Sequence, residues 1–385
     1  MFFSDLRQNS SYFSDEVENK QRVNLSRFAA LVLQNDIDTF SGIANDAKQI
    51  EISSFMNTIL REYRDDCIAN LPARLAAQED TYKAILGADQ ADVLDRLMAS
   101  YREKLLGTVA ELLSRKDRGS GSGFNMRIDK DNLNYLAENP VDLFTEKGDQ
   151  SATDEADLRP VCYNDRIGWF LKAVFEAYAG MSFAQREEIY YQSMMRVINS
   201  SILNRHILKL ELHPSDTNGR SKTVYCKPYC LAQDIGKHYH YLAGYATEDR
   251  SNSASWKLAS FRMGEIRSAR EQKDSGILTQ EKRAAIQKAI EDIGVQFLYE
   301  SEATLVKVRF TEAGERLYKR ILEQRPLYKE KTADRVYTFL CPYYQARIYF
   351  FKFGKDALVL EPPELAKELR DSYAAAAEQY NTAQP

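Results

Sequence analysis

The chain has 385 residues, of which 44% are apolar, and a formal net charge of −4. This length suffices for several domains with cores of their own, but no apolar run reaches the roughly 18 residues of a membrane span. The N-terminus lacks the basic-then-apolar order of a signal peptide, so we expect a soluble, cytoplasmic protein. Five cysteines, an odd number scattered along the chain, indicate reduced thiols rather than a disulfide framework.

The N-terminal segment predicts a strand followed by two helices. Val23 and Leu25 alternate with polar residues, as in a half-buried strand. Ser26 can cap a first helix, and the pair Ser53-Ser54 can cap a second. This order resembles the ribbon-helix-helix family, in which one strand from each of two chains pairs to form a dimer. We therefore interpret residues 1–88 as a ribbon-helix-helix-like dimerisation unit.

The same resemblance implies that Arg22 and Asn24 point outward from the strand, where a DNA major groove would meet them. Their chemistry suits DNA. However, residues 1–70 carry seven Lys or Arg against eleven Asp or Glu, a net charge of −4 that repels phosphate. Dimerisation is therefore the favoured role of this unit, and duplex DNA binding is the alternative.

Residues 89–204 predict a helical connector. Apolar residues follow helical spacing from Gln90 to Lys116, and the glycine and serine residues up to Gly123 indicate a flexible linker that marks a boundary. Further amphipathic helices are predicted before Gly180 and at about 183–203. Their apolar stripes are typical of core packing rather than of a cofactor pocket. We detect no internal repeat.

The second half of the chain predicts a small barrel and then a mixed domain. Four short strands with tight turns favour a β-barrel within residues 205–297. These strands are predicted at 207–212, 223–230, 239–247 and 256–261. A compact βαββα domain is predicted for residues 298–385, with strands that include 348–353. The expected fold class is therefore α+β and multidomain.

Residues of the barrel segment and of the C-terminal part resemble the WYL domain family and the extension that follows many such domains. In the barrel they are Val224, Pro228, Leu231, the run Tyr241-Leu242-Ala243-Gly244-Tyr245, the run Phe261-Arg262-Met263, and Ile266. In the extension they are Phe353-Gly354-Lys355-Asp356-Ala357 and Leu360-Glu361-Pro362-Pro363-Glu364-Leu365. The resemblance implies an Sm-like or SH3-like small barrel that binds nucleic acid or nucleotide-like ligands and does not catalyse a reaction.

Two residues depart from the family's pattern. His240 replaces the usual tryptophan in the triplet His240-Tyr241-Leu242 that corresponds to the family's name. Glu265 stands where the family often has an arginine. The second departure puts one anion-binding position of the family in doubt.

The order of the four parts resembles the WYL-domain accessory proteins encoded beside type VI-D CRISPR RNA-guided ribonucleases. This resemblance implies a homodimer that binds single-stranded RNA and raises the activity of the CRISPR effector ribonuclease. A ligand-sensing WYL transcription regulator that binds duplex DNA is the first alternative hypothesis. A protein-binding adaptor without affinity for either polymer is the second.

Charge and aromatic content place the RNA-binding hypothesis in the barrel segment. Residues 205–270 hold eleven Lys or Arg against six Asp or Glu, a local net charge of +5. Single-stranded nucleic acid needs cations for its phosphates and flat side chains for its bases, although strand tyrosines are equally common as half-buried core residues. The candidate nucleic-acid-binding residues are Tyr225, Lys227, Lys237, Tyr239, His240, Tyr241, Lys257, Arg262 and Arg267.

Enzymatic and metal chemistry find little support in the sequence. It contains no Walker loop, nucleophile elbow, His-Glu-x-x-His motif or dinucleotide fingerprint. Cys226, Cys230, His238 and His240 have the chemistry of a tetrahedral zinc site, but the Cys-x₃-Cys spacing with Pro228 between the thiols argues against one. We therefore expect no catalytic residues, no metal and no cofactor.

Overall fold

A computed structural model shows the chain as two compact units, residues 1–193 and residues 194–385. The division of the sequence into four parts stays a prediction. The structure describes residues 19–41, 52–86, 90–115, 123–138, 163–213, 221–234, 236, 238–298 and 303–382. Among the helices of these residues, none is both long enough and apolar enough to cross a membrane.

The first unit combines short strands with helices. Its described strands are β1 (Lys20–Asn24) and β2 (Gly123–Arg127). Its helices are α1 (Arg27–Ser41), α2 (Ile52–Tyr63), α3 (Leu71–Ile85), α4 (Ala91–Ser114), α5 (Lys130–Glu138), α6 (Tyr163–Ala179) and α7 (Phe183–Tyr190). The predicted order of strand, helix and helix at the N-terminus is confirmed. The predicted linker lies outside the described residues except for Gly123, which begins β2.

Strand β1 pairs within its own chain. It forms an antiparallel ribbon with β2, in which Arg22 lies opposite Asn125. The buried side chains Val23 and Met126 hold the ribbon against the helices, since neither is accessible to solvent. The expectation that a second chain supplies the partner of this strand is therefore wrong, because residues 123–127 occupy that place.

The ribbon reveals an internal repeat of strand, helix and helix. The first copy is β1, α1 and α2, and the second is β2, α5 and α6. Gly123 follows Lys20 by 103 positions, and Lys130 follows Arg27 by the same number. In each copy two residues join strand to helix, and the second of them caps the helix. The Ser26 Oγ accepts a hydrogen bond from the Ala29 N–H at 3.2 Å, and the Asp129 Oδ1 accepts one from the Asn132 N–H at 2.9 Å.

Packing between the copies is reciprocal, as in a two-fold dimer. Strand β1 packs on α6 while β2 packs on α2, and α1 packs on α6 while α5 packs on α2. Arg22 and Asn125, which are equivalent under the repeat, are also direct cross-strand partners. A pseudo-two-fold axis therefore passes between them. The two copies share burial pattern and capping but few residue identities, which is why our expectation of no internal repeat was wrong.

Buried polar groups connect the helices of this unit. The Asp36 carboxylate, which is inaccessible to solvent, accepts hydrogen bonds from the Arg186 guanidinium at 2.6 and 3.1 Å and from the Tyr178 hydroxyl at 3.0 Å. Glu176 of α6 accepts hydrogen bonds from the backbone N–H and the hydroxyl of Ser26 at the start of α1. These contacts join segments about 150 residues apart in sequence.

The second unit begins with a five-stranded antiparallel sheet. Helix α8 (Gln192–Asn204) precedes it. The strands are β3 (His206–Leu212), β4 (Lys222–Gln233), β5 (His240–Thr247), β6 (Lys257–Arg262) and β7 (Ile266–Ser275). Helix α9 (Gln280–Ile293) follows.

The order of strands in this sheet is β6-β5-β4-β3-β7, so that β6 and β7 form opposite edges. The expected closed barrel is wrong for the described residues, because no ladder joins these edges. A three-residue turn, Met263–Glu265, nevertheless links β6 to β7. Arg262 pairs with β5 at one edge and Ile266 pairs with β3 at the other. The sheet is therefore curled, and its edges meet at this turn.

The rest of the second unit is a four-stranded antiparallel sheet with helices, in the strand order β11-β8-β10-β9. Its strands are β8 (Ala303–Phe310), β9 (Tyr328–Lys331), β10 (Val336–Pro342) and β11 (Ala357–Glu361). Its helices are α10 (Glu312–Arg320), α11 (Tyr343–Phe351) and α12 (Pro363–Thr382).

The order of elements in this part is βαββαβα rather than the expected βαββα. The strand predicted at 348–353 is wrong, because this segment lies mostly in α11. Its aromatic residues favour a strand locally. In the structure Ala346, Tyr349, Phe350 and Phe353 recur at helical spacing and are buried in the core beneath the sheet.

Candidate nucleic-acid interface

The candidate interface lies on the outer face of β4, β5 and β6. Alternation of side chains sends Leu242 and Phe261 to the inner face, where both are buried. Their neighbours Tyr241 and Arg262 are cross-strand partners on the outer face. Helix α9 covers the middle of this outer face, where Ile286 packs near Ala243. The outer face therefore has two ends that α9 does not cover, one on each side of the helix.

The first end contains Arg262 and Tyr239. The Asp234 carboxylate accepts hydrogen bonds from the backbone N–H groups of His238 and Tyr239, which orders the turn before β5. The Arg262 guanidinium carbon lies 3.5 Å from the centroid of the Tyr239 ring. Its Nε is buried and has no hydrogen-bond partner among the described residues. A flat cation is thus held against an aromatic ring beside Tyr241, which is the combination that a nucleotide requires.

Glu265 is close to this cation. Its carboxylate accepts a hydrogen bond from the Arg262 backbone N–H at 3.3 Å. Desolvation by the surrounding protein raises the pKa of Glu265, while the hydrogen bond and the charge of Arg262 oppose that shift. A carboxylate at this position lowers the positive potential that Arg262 offers to an anion.

The second end contains three cation–aromatic contacts. The Lys227 Nζ lies 4.7 Å from the centroid of the Trp256 ring, and the Lys282 Nζ lies 4.7 Å from that of Tyr245. The Arg250 guanidinium carbon lies 4.9 Å from the centroid of the Tyr225 ring. Burial, and then the charge of Lys282, lower the pKa of Lys227.

The structure therefore separates the predicted site residues into groups. Tyr239, Tyr241 and Arg262 come together at the first end, and Tyr225 and Lys227 at the second. Sequence reasoning missed Tyr245, Arg250, Trp256 and Lys282. The aromatic character of Trp256 at the start of a predicted strand was the available signal, whereas nothing local indicated that Lys282 reaches the sheet from α9.

The remaining predicted residues lie elsewhere. His240 is buried, and its Nε2 lies 3.1 Å from the side-chain nitrogen of Gln233. Lys257 is exposed but lies opposite Ala246, on the face away from Arg262. Arg267 is exposed in β7. The pKa of His213 is lowered mainly by the burial of that histidine and secondly by the charge of Arg267. Lys237 lies outside the described residues.

The cysteines of β4 face different environments. A bulge between Pro228 and Cys230 shifts the alternation, so that Cys226 pairs with Ala246 and Cys230 with Ala243. Since Ala246 and Ala243 lie on opposite faces of β5, the two thiols point to opposite sides of the sheet. Burial raises the pKa of both, that of Cys230 to about 11. Within the described residues no cluster of His, Cys, Asp or Glu has the geometry of a metal site.

The ribbon of the first unit has an exposed polar face. The side chains of Arg22 and Asn24 lie close to Gly123. A Cβ atom added at this glycine would come within 2.9 Å of the Asn24 Oδ1 and 3.1 Å of the Arg22 Nε. The glycine therefore makes room for both side chains. The other exposed residues of the ribbon on this face are Lys20, Asn125 and Arg127. Arg22 and Asn24 thus point outward, as expected.

Comparison with known proteins supports the fold. No protein-family model and no curated protein matches this chain. A solved structure described as a CRISPR Cas-related protein is 20% identical, with 95% of each chain covered and a TM-score of 0.67. The chain therefore shares its fold with that protein over nearly its whole length. A second solved structure, the proteasome accessory factor B/C (PafBC) of Arthrobacter aurescens, is 15% identical over 69% of this chain and 38% of that one, with a TM-score of only 0.27.

Proposed function

We propose that this protein is a non-enzymatic CRISPR accessory protein that binds single-stranded RNA on the outer face of its five-stranded sheet. The observation that carries the proposal is the Arg262 guanidinium, which is stacked on Tyr239 and has a buried Nε without a partner among the described residues. A guanidinium held in this way offers its remaining N–H groups to phosphate, while the neighbouring rings offer surfaces for unpaired bases.

Two further observations support a role beside a CRISPR effector. The solved structure that shares this fold over 95% of both chains is described as a CRISPR Cas-related protein. The residues of the sheet resemble the WYL domain family, and the order of parts resembles the accessory proteins of type VI-D systems. We therefore propose an RNA-guided ribonuclease of type VI-D as the partner and a homodimer as the active form.

The physical basis of activation would be local concentration of substrate. A protein that holds single-stranded RNA beside a ribonuclease turns an encounter in solution into one within an assembly, at an effective concentration up to the millimolar range. This requires no catalytic residue in the accessory protein.

RNA binding is tested by fluorescence anisotropy with a labelled single-stranded RNA over a range of salt concentrations. We expect log Kd to change linearly with log salt, with a slope of about 0.7 for each phosphate contact. Arg262→Ala should weaken binding about tenfold and reduce the slope by about one contact. The control is Arg316→Ala, which removes an exposed arginine of α10 that pairs with Glu312. No binding by the unaltered protein, or equal effects of both variants, contradicts the proposal.

Activation is tested separately with a fluorogenic RNA reporter and a type VI-D effector. The protein should raise the cleavage rate, and Arg262→Ala should raise it less. Binding to duplex DNA that is tighter than binding to RNA, and that is lost in Arg22→Ala, would instead favour the transcription regulator.

A further inference from the structure

The second end of the outer face brings together side chains from four separate segments. Lys227 of β4 and Tyr245 of β5 are direct cross-strand partners. Trp256 comes immediately before β6, and Lys282 lies in the first turn of α9. The Nζ atoms of both lysines lie 4.7 Å from aromatic ring centroids, Lys227 over Trp256 and Lys282 over Tyr245.

Neither of these lysines is neutralised by a described residue. Among the described residues, Lys227 and Lys282 form no ion pair, whereas neighbouring cations of the same sheet do: Lys222 pairs with Glu248 and Arg250 with Asp274. The two ammonium groups also repel each other, since the charge of Lys282 adds to burial in lowering the pKa of Lys227. An anion between them would relieve that repulsion.

We propose that Lys227, Tyr245, Trp256 and Lys282 form a nucleotide subsite, in which the lysines bind a phosphate and Trp256 stacks against a base. The inference rests on the proposed function, because it places one nucleotide of the bound RNA. It also extends the RNA path from Arg262 at the first end of the sheet to Lys227, Trp256 and Lys282, which the family resemblance does not include.

Binding requires Lys227 to leave the Trp256 ring. A cation–π contact at a half-exposed site stabilises less than the stacking of a base on an aromatic ring does. The exchange is therefore favourable: the ammonium moves to the phosphate, and the vacated face of Trp256 accepts the base.

Trp256 provides a direct readout. The chain has two tryptophans, Trp169 and Trp256, so Trp169→Phe leaves Trp256 as the single tryptophan, whose emission is excited selectively over that of the tyrosines. Titration of this full-length variant with a short oligouridylate should quench the fluorescence to an extent that saturates together with anisotropy of a labelled RNA. Titration with inorganic phosphate alone should shift the fluorescence only weakly, because it displaces Lys227 without supplying a base.

The lysines are tested in the same background with Lys227→Gln and Lys282→Gln together. The double variant should bind RNA at least tenfold more weakly, lower the salt slope by about 0.7 for the one phosphate, and lose the quenching. The matched control is Lys222→Gln with Lys288→Gln, which alters one exposed lysine on each of the same two elements. If the test variant unfolds, Lys227→Arg with Lys282→Arg retains the charges and should retain binding and quenching.

The failures of the two proposals are distinguishable. RNA binding without any change in Trp256 fluorescence, and with equal salt slopes in test and control variants, overturns the subsite and leaves the proposed function intact. Absence of RNA binding by the unaltered protein overturns both.

Discussion

The Arg262 guanidinium lies 3.5 Å from the centroid of the Tyr239 ring, closer than the 4.7 to 4.9 Å of the other cation–aromatic contacts of the sheet. At this distance a planar guanidinium stacks on the ring, and the ring restricts its orientation. The backbone of Tyr239 is itself held by hydrogen bonds that the N–H groups of His238 and Tyr239 donate to the Asp234 carboxylate. Arg262 is therefore oriented before any ligand arrives, which reduces the entropy that binding costs.

Replacement of Arg262 by lysine should weaken the binding of RNA. Arg262→Lys keeps the charge but loses the flat stacking surface and the fixed N–H geometry. We expect single-stranded RNA to bind about 3- to 10-fold more weakly, with an unchanged salt slope because the number of cations is unchanged. Anisotropy at several salt concentrations measures both quantities. Binding equal to that of the unaltered protein would show that Arg262 acts as a charge alone.

RNA binding should depend on the protonation of Glu265. Its pKa lies above the usual value of 4.5 because of desolvation. The ionised carboxylate repels phosphate near Arg262, so affinity should rise as the pH falls toward that raised pKa and the group becomes neutral. Glu265→Gln should bind about 3- to 10-fold more tightly at pH 7 and lose this dependence. Glu330→Gln, an exposed change in β9, should keep it. A Glu265→Gln variant with the unaltered pH profile would contradict this prediction.

Sequence patterns predicted the parts of the fold that depend on local signals. The alternation around Val23 and the serine cap at Ser26 were sufficient for β1 and α1. In contrast, β2 has five residues after a glycine- and serine-rich run, and its partner is about one hundred residues away. Such a pairing depends on contacts of Met126 with residues that are distant in sequence, and a short stretch of sequence does not reveal these contacts.

The residues of the candidate site likewise fall into those that local patterns predict and those that only the folded chain brings together. Tyr239, Tyr241 and Arg262 were predicted from strand alternation and from the resemblance of the sheet to a family. Lys282 was not, because only the folded chain brings α9 onto the sheet. Helix α11 shows the opposite failure: its aromatic run favours a strand, and tertiary packing of Tyr349 overrides that preference.

The buried pair of Asp36 and Arg186 should behave as a coupled unit in stability. Removal of one partner leaves the other charge buried and unpaired, so Asp36→Ala or Arg186→Ala should lower the free energy of unfolding by about 3–5 kcal/mol. The double variant should lose less than the sum of the two, because it leaves no unpaired charge. Urea denaturation monitored by circular dichroism measures all three. Additive losses would show that the 2.6 Å contact contributes nothing as a pair.

A disulfide should form across the pseudo-two-fold axis within one chain. Arg22 and Asn125 are direct cross-strand partners on the exposed face of the ribbon. Antiparallel partners have Cα atoms about 4.5–5.5 Å apart, which a disulfide can bridge. We expect Arg22→Cys with Asn125→Cys to oxidise to a species that runs as a compact monomer on a non-reducing gel. The closed loop should stabilise the folded chain by about 2–4 kcal/mol, and reduction should remove that gain.

The single variants decide between a ribbon within the chain and one between chains. In a ribbon formed by two β1 strands, position 22 would lie opposite position 22 of the second chain, and Arg22→Cys alone would give a covalent dimer. Because β2 occupies that place, Arg22→Cys alone and Asn125→Cys alone should both stay monomeric on the gel under the same oxidation. A covalent dimer from Arg22→Cys alone would contradict the pairing of β1 with β2 within one chain. The edge of β1 that pairs with β2 is then not open to a second chain, so a homodimer cannot form through that ladder.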